Sequence, residues 1–307
     1  MLDELLSRFA AHDRRALAHL LSLLADGQQL EDILRRLCPG SPRSRVVALT
    51  GSGGVGKSTL IGKLIELLRS LNITVAVLAC DPQSPVSGGA LLGDRARMSA
   101  PCDDGLFIRS LAAMGGRSAI AEHLDAMIET LEAYSFDVVV VETVGAGQGD
   151  TRVRELADVL VLMLQPESGD ELQWEKAGLL EVADVVFIHK ADLPGADHVQ
   201  AQVRASLSLA PGKVPQVLAG SARTGAGLRE LWDAIAALPL RPRRLAALDR
   251  RLLEAAQERV AGCFDGKVKS PELEALFAEW KAGKLGLQEA VAALLRLAGQ
   301  SGGEERS

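Results

Sequence analysis

The chain has 307 residues, of which 48% are hydrophobic and 24% charged, a balance typical of a globular protein. Its formal net charge of −6 argues against a generally nucleic-acid-binding surface. The first residues contain no apolar secretory segment, and no apolar run approaches the ~20 residues of a membrane span. We therefore expect a cytoplasmic protein without membrane or nucleic-acid partners.

The cysteines are scattered and form no C-x-x-C pair. This distribution favours free thiols in a reducing compartment over a disulfide framework or a zinc site. The four residues are Cys38, Cys80, Cys102 and Cys263.

Residues 1–43 are predicted to form an N-terminal helical arm. Leu17, Leu20, Leu21 and Leu24 recur at helical spacing, and a linker rich in Pro and Gly begins at Cys38. The arm could pack on the main domain or on a partner, and the sequence leaves both open.

Residues 44–239 alternate between strands and helices, which predicts an α/β fold with a doubly wound, mostly parallel sheet. Helices are expected notably over Arg117–Ala133 and Leu228–Leu238. Ligands of such sheets bind at the carboxyl ends of the strands. The predicted strands are Arg45–Thr50, Thr74–Ala79, Leu106–Ser110, Asp137–Glu142, Val159–Gln165, Val185–His189 and Gln216–Ala219.

Residues 240–298 are predicted to be a C-terminal helical region, followed by a disordered tail over 299–307. Its helices should cover Arg243–Val260, Pro271–Ala282 and Leu287–Leu297. The arginines from Arg241 to Arg244, together with Arg250 and Arg251, could form a nucleic-acid patch, but nearby Asp249 and Glu254 favour a solvated helix face.

The segment from Gly51 to Thr59 fits the P-loop pattern G-x-x-x-x-G-K-[ST] between a strand and a helix. Lys57 should reach the β- and γ-phosphates, the Ser58 hydroxyl should bind Mg²⁺, and Thr59 should contact the α-phosphate. Backbone amides of the loop should surround the phosphates. The loop residues are Ser52, Gly53, Gly54, Val55 and Gly56.

Two acids follow the second strand, in a long segment rich in Gly, Pro and Ser. Asp81 stands at the carboxyl end of the strand and could hold magnesium directly or through water. Asp94 and Arg95 could act at the phosphates once the γ-phosphate orders this segment. We therefore count Asp81 and Asp94 as candidate catalytic and metal-binding residues.

The fourth strand ends in Glu142, an acid that closes an apolar strand as in a Walker-B arrangement. Glu142 would position magnesium or its waters. Gly145 could donate its N–H to the γ-phosphate, and Gln148 could orient the attacking water.

The sixth strand ends in His189-Lys-Ala-Asp192, which resembles the guanine-reading motif N-K-x-D of GTPases. The Asp192 carboxylate would accept hydrogen bonds from guanine N1–H and the 2-amino group, which adenine lacks. The Lys190 stem could lie over the base. His189 replaces an Asn that normally braces the loop, which leaves the bracing open; no second ligand nearby supports a metal role for it.

Ser221-Ala222-Arg223 follows the last strand and resembles the S-A-[KL] loop, whose backbone contacts guanine O6. The tripeptide is a weak signal alone, but it comes in register behind the sixth strand. We count Ser221, Ala222 and Arg223 as nucleotide-binding candidates.

Together these motifs resemble the methylmalonyl-CoA-mutase-associated GTPases of the MeaB/ArgK type. The resemblance covers nearly the whole chain and is more specific than the P-loop alone. It rests on Asp13–Ala18, Asp81–Pro85, Gly88–Gly89, Leu92–Met98, Glu142–Gln148 and Gly169–Gln173.

The resemblance implies a GTP-hydrolysing, Mg²⁺-dependent chaperone that assists cofactor loading and protection of an adenosylcobalamin-dependent acyl-CoA mutase. It also implies a homodimer formed through the terminal helices. The chain departs from the family pattern at His189, at Pro166–Asp170 and at Trp174, which could anchor a partner or simply be buried.

Two other functions compete with this one. A nickel- or cobalt-delivering maturation GTPase would need clustered His and Cys, and the five histidines are scattered. A small-molecule kinase would use ATP, whereas Asp192 favours GTP.

Overall fold

The computed structural model describes residues 2–37, 43–82, 103–113, 121, 123–144, 150–166, 177–209, 214–242, 253, 256, 271–282 and 284–300. The chain divides into two compact units, Met1–Arg243 and Arg244–Ser307. Several predictions lie outside the described residues: the linker from Cys38 to Pro42, Asp94, Arg95, Gly145, Gln148, Gly169–Gln173, Trp174, most of Arg243–Val260 and residues 301–307 of the tail.

A seven-stranded sheet forms the centre of the first unit, in the order β3-β2-β4-β1-β5-β6-β7. All seven predicted strands are confirmed, and every pairing is parallel. Three strands run past their predicted ends: the first by one residue beyond Thr50, the second by three beyond Ala79 and the third by three beyond Ser110. The strands are β1 (Arg45–Gly51), β2 (Val75–Pro82), β3 (Leu106–Ala113), β4 (Val138–Glu142), β5 (Val159–Leu164), β6 (Val185–Ile188) and β7 (Gln216–Ala219).

Helices cover both faces of this sheet, which explains the continuous β-branched runs. In β4, Val139 and Val141 face one hydrophobic cluster while Val138 and Val140 face another. The helices are α1 (Leu2–Ala10), α2 (Arg14–Ala25), α3 (Leu30–Arg36), α4 (Lys57–Ser70), α5 (Leu124–Ala133), α6 (Asp150–Leu156), α7 (Ala177–Val182), α8 (Ala196–Leu209) and α9 (Leu228–Ala237).

Helix α5 begins later than predicted. The prediction started it at Arg117, but Ala121 is not helical and His123 has a left-handed φ of 53° at the N-cap. A helix cannot propagate through a residue in that conformation, so α5 starts at Leu124.

The N-terminal helices belong to the core of the first unit. Leu17, Leu20, Leu21 and Leu24 are fully buried in a cluster shared with α5 and the sheet. Asp13 caps α2 by accepting the backbone N–H of Arg15 at 2.7 Å. The segment therefore packs on the sheet and helices of the first unit, which answers the question that the sequence left open.

Arginines fasten this segment to the edge of the sheet. Arg14 donates hydrogen bonds to the carbonyl of Asp103, at 3.0 Å, and to that of Leu106. From the sheet side, Arg109 donates to the carbonyl of Ala18 at 3.0 Å. Strand β3 is therefore held against α2 by charged donors as well as by apolar packing.

A cluster of charged residues lies at the amino ends of the strands; we call it the amino-edge cluster. Asp158 precedes β5 and accepts hydrogen bonds from the backbone N–H of Val46 at 2.8 Å, the N–H of Arg241 at 2.8 Å and the Arg43 guanidinium at 2.9 Å. Its members are Arg43, Arg154, Asp158, Asp184 and Arg241.

The second acid of the cluster, Asp184, precedes β6. It accepts the backbone N–H of Leu160 at 3.0 Å, the Arg241 guanidinium at 2.6 Å and the Arg154 guanidinium at 3.4 Å. The placement of Arg241 on a solvated helix face was therefore wrong. Arg241 is half-buried and non-helical. Asp158 accepts its backbone N–H and Asp184 accepts its guanidinium, and these contacts hold it at the amino edge of the sheet.

The second unit contains α10 (Pro271–Lys281) and α11 (Leu287–Gln300). Helix α11 continues past its predicted end at Leu297 through Gln300, so the predicted start of the disordered tail at residue 299 was wrong. Leu273, Leu276 and Ala290 are buried within this unit. Trp280, Val291 and Leu295 are exposed. Among the residues that the structure describes, no helix is long and apolar enough to cross a membrane.

Candidate nucleotide site

The phosphate loop, Gly51–Gly56, connects β1 to α4 and requires glycine at two points. Gly51 has a φ of 154°, and a Cβ there would lie 2.6 Å from the Met163 carbonyl. Gly56 has a φ of 99°, and a Cβ there would lie 2.7 Å from the His189 ring. Because Gly56 begins α4 without a side-chain cap, the positive end of the helix dipole can act on an anion.

The middle of the loop faces open space. A Cβ at Gly53 or Gly54 would meet no heavy atom within 4 Å. Ser52 is half-buried, whereas the Val55 side chain is fully buried and anchors the loop. The exposed backbone of Gly53 and Gly54 therefore offers the surface on which a polyphosphate could lie.

Lys57 is buried, and its side chain folds back over the phosphate loop. Its Nζ donates to the carbonyl of Gly51 at 2.9 Å and to that of Ser52 at 3.3 Å. Thr59 is exposed on the first turn of α4. Lys57 therefore places a positive charge at the loop, while Thr59 is accessible to a ligand there.

Ser58 and Glu142 meet where β1 and β4 run side by side. The Ser58 hydroxyl donates to Glu142 Oε1 at 2.7 Å, and the Glu142 side chain is 4% exposed. Pairing of Leu49 with Glu142 in the sheet sets this approach. A hydroxyl and a carboxylate in contact are the hard oxygen donors that Mg²⁺ prefers, so this pair fits the metal.

Asp81 lies on the strand beside Glu142. Strand β2 pairs with β4 so that Ala79 faces Glu142, and Asp81 follows two positions later along β2. The structure thus brings the backbone of Asp81 to the same edge. Its side chain, together with Asp94, Gly145 and Gln148, lies outside what the structure describes, and their roles remain predictions.

His189 follows β6 and is 4% exposed. Its Nδ1 lies 2.8 Å from the Val55 carbonyl, and its Nε2 accepts the backbone N–H of Ala222 at 3.2 Å. Burial lowers the pKa of His189, although its hydrogen bond with Val55 acts in the opposite direction. A neutral ring therefore joins the phosphate loop to the loop after β7.

Lys190 makes a second link to the phosphate loop. Its Nζ donates to the Gly54 carbonyl at 3.1 Å and to Gln165 Oε1 at 2.6 Å. Gln165 was not among the predicted site residues, although its place directly after β5, which lies between β1 and β6 in the sheet, was a usable signal. Gln165 fixes the end of the Lys190 side chain.

Asp192 is held by the loop after β7. Hydrogen bonding by the Ser221 hydroxyl, and next by the Arg223 guanidinium, lowers the pKa of Asp192 below its usual range. Arg223 Nε donates to Asp192 Oδ2 at 2.9 Å, and the Arg223 side chain is 74% exposed. The carboxylate is therefore ionised at neutral pH, and Arg223 contacts it through a side chain for which only a backbone role was predicted.

The described residues thus form one continuous site along the carboxyl edge of the sheet. Lys57, Ser58 and Glu142 lie at the end with the predicted phosphate loop, and Asp192 lies at the end predicted to face the base. His189 contacts both sides. The arrangement suits a ligand with an anionic tail and a base that offers hydrogen-bond donors.

Comparisons with known proteins agree with this geometry. A family model described as methylmalonyl Co-A mutase-associated GTPase MeaB matches residues 15–260. A Pyrococcus abyssi protein whose name assigns it to the GTPases is 39% identical over 282 residues, which are 88% of this chain and 87% of the relative. The fused isobutyryl-CoA mutase of Cupriavidus metallidurans is 39% identical over 196 residues, which are 62% of this chain and 18% of that protein.

The solved structure of an LAO/AO transport system kinase matches with a TM-score of 0.70 over 96% of both chains, at 22% identity. That identity shows a shared fold alone. The family model, in contrast, spans most of the chain and both halves of the site. The chain belongs to the MeaB family of methylmalonyl-CoA mutase-associated GTPases.

Proposed function

We propose that this protein binds and hydrolyses GTP and acts as a chaperone for an adenosylcobalamin-dependent acyl-CoA mutase. One observation carries the nucleotide part of the proposal: the ionised Asp192 and the phosphate loop belong to a single site that His189 and Lys190 connect. Membership of the MeaB family supports the client.

Guanine recognition rests on the Asp192 carboxylate. It would accept hydrogen bonds from guanine N1–H and the 2-amino group, with Ser221 orienting it. The Ala222–Arg223 backbone would face O6. Adenine offers no matching donor pair and would leave the carboxylate unpaired, which can cost roughly 10⁴-fold in selectivity.

Phosphate binding rests on the amides of the phosphate loop, on Lys57 and on Thr59. To reach the β- and γ-phosphates, the Lys57 ammonium would exchange its two loop carbonyls for phosphate oxygens. Ser58 and Glu142 would hold Mg²⁺, and Asp81 and Asp94 are proposed to complete its surroundings. Bound there, the ion supplies positive charge against the phosphate oxygens.

Hydrolysis would proceed by in-line attack of water on the γ-phosphate. Lys57 would offset the charge that develops on the phosphate oxygens, Gly145 would donate its N–H there, and Gln148 would orient the water. We propose Lys57, Asp81, Asp94, Glu142 and Gln148 as the catalytic set.

The mutase partner is supported by the relative from Cupriavidus metallidurans, a fused isobutyryl-CoA mutase of which this chain matches 18%. A homologous segment joined to a mutase indicates that the two act together. We propose a separate mutase as the client of this chain, with assistance to cofactor loading and protection from inactivation as the role.

A homodimer through the second unit is also proposed. Val291 and Leu295 lie one turn apart on α11 and are 45% and 53% exposed, and Trp280 on α10 is 43% exposed. Sedimentation at micromolar concentration should give twice the monomer mass. A monomer at that concentration would contradict the dimer.

The decisive experiment measures GTP hydrolysis by the purified protein with and without an adenosylcobalamin-dependent mutase from the same genome. We expect stimulation by the mutase and none in the Lys57→Ala variant. Normal GTP binding without stimulation by any such mutase would overturn the client assignment. Absence of GTP binding would overturn the nucleotide assignment.

Delivery of nickel or cobalt is the competing role. Within the described residues, no group of three His, Cys, Asp or Glu side chains could hold a metal ion. Calorimetric titration with Ni²⁺ and Co²⁺ tests it, and a micromolar site in the nucleotide-free protein would revive it.

A further inference from the structure

His189 touches both halves of the nucleotide site. The carbonyl oxygen of Val55, which lies 2.8 Å from His189 Nδ1, belongs to the phosphate loop. Ala222, which donates to Nε2 at 3.2 Å, belongs to the loop that follows β7 and should face the base. One buried ring therefore spans the two elements that would hold opposite ends of the nucleotide.

The two hydrogen bonds specify one tautomer. A backbone carbonyl can only accept, so Nδ1 carries the hydrogen towards Val55. A backbone N–H can only donate, so Nε2 presents its lone pair to Ala222. Protonation of Nε2 would place two N–H groups against each other, which breaks the link to Ala222 and keeps the link to Val55.

The surroundings of the ring favour the neutral form. Burial is the main cause that lowers the pKa of His189; the Lys190 charge adds to it, whereas the Val55 hydrogen bond and the Asp192 charge act against it. Two further charged groups lie on the loops that the ring contacts: Lys57, held on the Gly51 carbonyl, and Arg223, paired with Asp192.

The phosphate loop is shaped around this ring. A Cβ at Gly56 would lie 2.7 Å from His189 Cε1 and 2.8 Å from Nδ1. The ring therefore packs directly on the residue that begins α4. A shift of the His189 ring would therefore change the packing at the N-terminus of this helix as well as the contact with Ala222.

We propose that neutral His189 is a positioning residue that couples the phosphate loop to the guanine-facing loop and makes nucleotide affinity depend on a proton. An Asn at this position could bridge the same elements but would not titrate. This inference rests on the proposed binding of GTP. It adds that the replacement of Asn by His introduces a pH dependence of nucleotide binding.

The test is the dissociation constant for GDP measured from pH 5.5 to 8 in the wild type, in His189→Asn and in His198→Asn. His198 is exposed on α8, so the same chemical change there is a matched control. Because the phosphate of the ligand also titrates, the ratio of the wild-type to the His189→Asn constant is the quantity to follow.

We expect this ratio of dissociation constants to rise by about three- to tenfold as the pH falls. That change corresponds to the free energy of one hydrogen bond. His198→Asn should follow the wild type. A constant ratio, with tight binding throughout, would overturn the inference while leaving the proposed function intact. Failure of the wild type to bind GDP at any pH would overturn the proposed function and the inference together.

A second measurement does not depend on the folding of a variant. Nitrogen-15 NMR of imidazole-labelled wild type should show one ring with a protonated Nδ1 and an unprotonated Nε2 at pH 7.5. Adding GDP at pH 6 should keep that ring neutral. A ring in the opposite tautomer, or one already charged at pH 7.5, would contradict the proposal.

Discussion

Buried or half-buried carboxylates lie at both edges of the sheet, and their partners differ. At the amino edge, Asp158 and Asp184 accept backbone amides and arginines of the first unit. At the carboxyl edge, Glu142 contacts a serine hydroxyl, and Asp192 is paired with an exposed arginine. In this sheet, an acid with little exposure to water therefore indicates function only when a ligand can take the place of its partners.

The physical reason is the cost of releasing the partner. A backbone amide that loses its buried acceptor has no replacement, so the amino-edge contacts are permanent. A hydroxyl or an exposed guanidinium can turn to water or to another acceptor at little cost. Variants at the two edges should therefore separate: one group loses stability and the other loses nucleotide binding or turnover.

The largest effect is expected from Asp158→Ala. The substitution leaves the buried N–H of Val46 and two arginine donors without their acceptor, so the free energy of unfolding should fall by about 3 to 5 kcal/mol. Urea denaturation measures it. Asp233→Ala, which breaks an exposed pair with Arg229, is the control and should cost at most about 0.5 kcal/mol. If Asp158→Ala lowered the free energy of unfolding by less than about 1 kcal/mol, the proposed difference between the two edges of the sheet would be refuted.

Next comes Lys57→Ala at the opposite edge. Loss of two charged contacts to phosphate oxygens should weaken GTP binding by about 100-fold or more. Calorimetric titration measures the affinity, and the urea midpoint should change less than in Asp158→Ala. Lys63→Ala is the matched control, since Lys63 is on the same helix and its ammonium donates to the exposed Glu66 carboxylate. Unchanged GTP affinity in Lys57→Ala would remove the phosphate-loop assignment.

Glu142→Gln should act on turnover. The amide oxygen can still accept the Ser58 hydroxyl, but the charge that attracts a divalent cation is gone. We expect hydrolysis to fall by about 10- to 100-fold, with a higher Mg²⁺ concentration needed for half-maximal rate. Glu66→Gln, an exposed position on α4, should behave as wild type. Normal turnover at low Mg²⁺ would place the metal elsewhere.

The smallest effect is expected from Arg223→Ala. Because its side chain is 74% exposed, removing it should change GTP affinity at pH 7.5 by less than about threefold. Asp192 stays ionised at that pH, but its pKa should rise towards the ordinary range. Acid-induced loss of GTP binding should then begin at a higher pH than in the wild type. Loss of binding at neutral pH would show that Arg223 itself holds the ligand.

Much of the fold follows from local sequence. Strand β4 is four valines and an acid, and Val138–Val141 alternate between two apolar clusters, so a doubly covered strand was predictable. The phosphate loop was equally clear, since glycine spacing next to Lys57 and Ser58 is a local property. What failed was the start of α5, where His123 adopts a left-handed conformation that its residue type does not announce.

The site was less predictable where it depends on contacts between distant segments. His189 looked like a departure that weakened the motif, yet its ring reaches Val55 and Ala222. Gln165 holds Lys190 across the sheet, and Arg241 binds two acids far from it in sequence. Such contacts depend on strand order, and the spacing of residues along the chain does not contain that order.

The amino-edge cluster also has a practical consequence for dissecting this protein. Arg241 follows α9. Its backbone amide donates to Asp158 and its guanidinium donates to Asp184, both at the amino edge of the sheet. A gene fragment that stops at Pro239 would leave Asp158 and Asp184 short of these donors. Expression of an isolated GTP-binding fragment should therefore retain residues through 242, and the helices that bury Leu17 should stay at its other end.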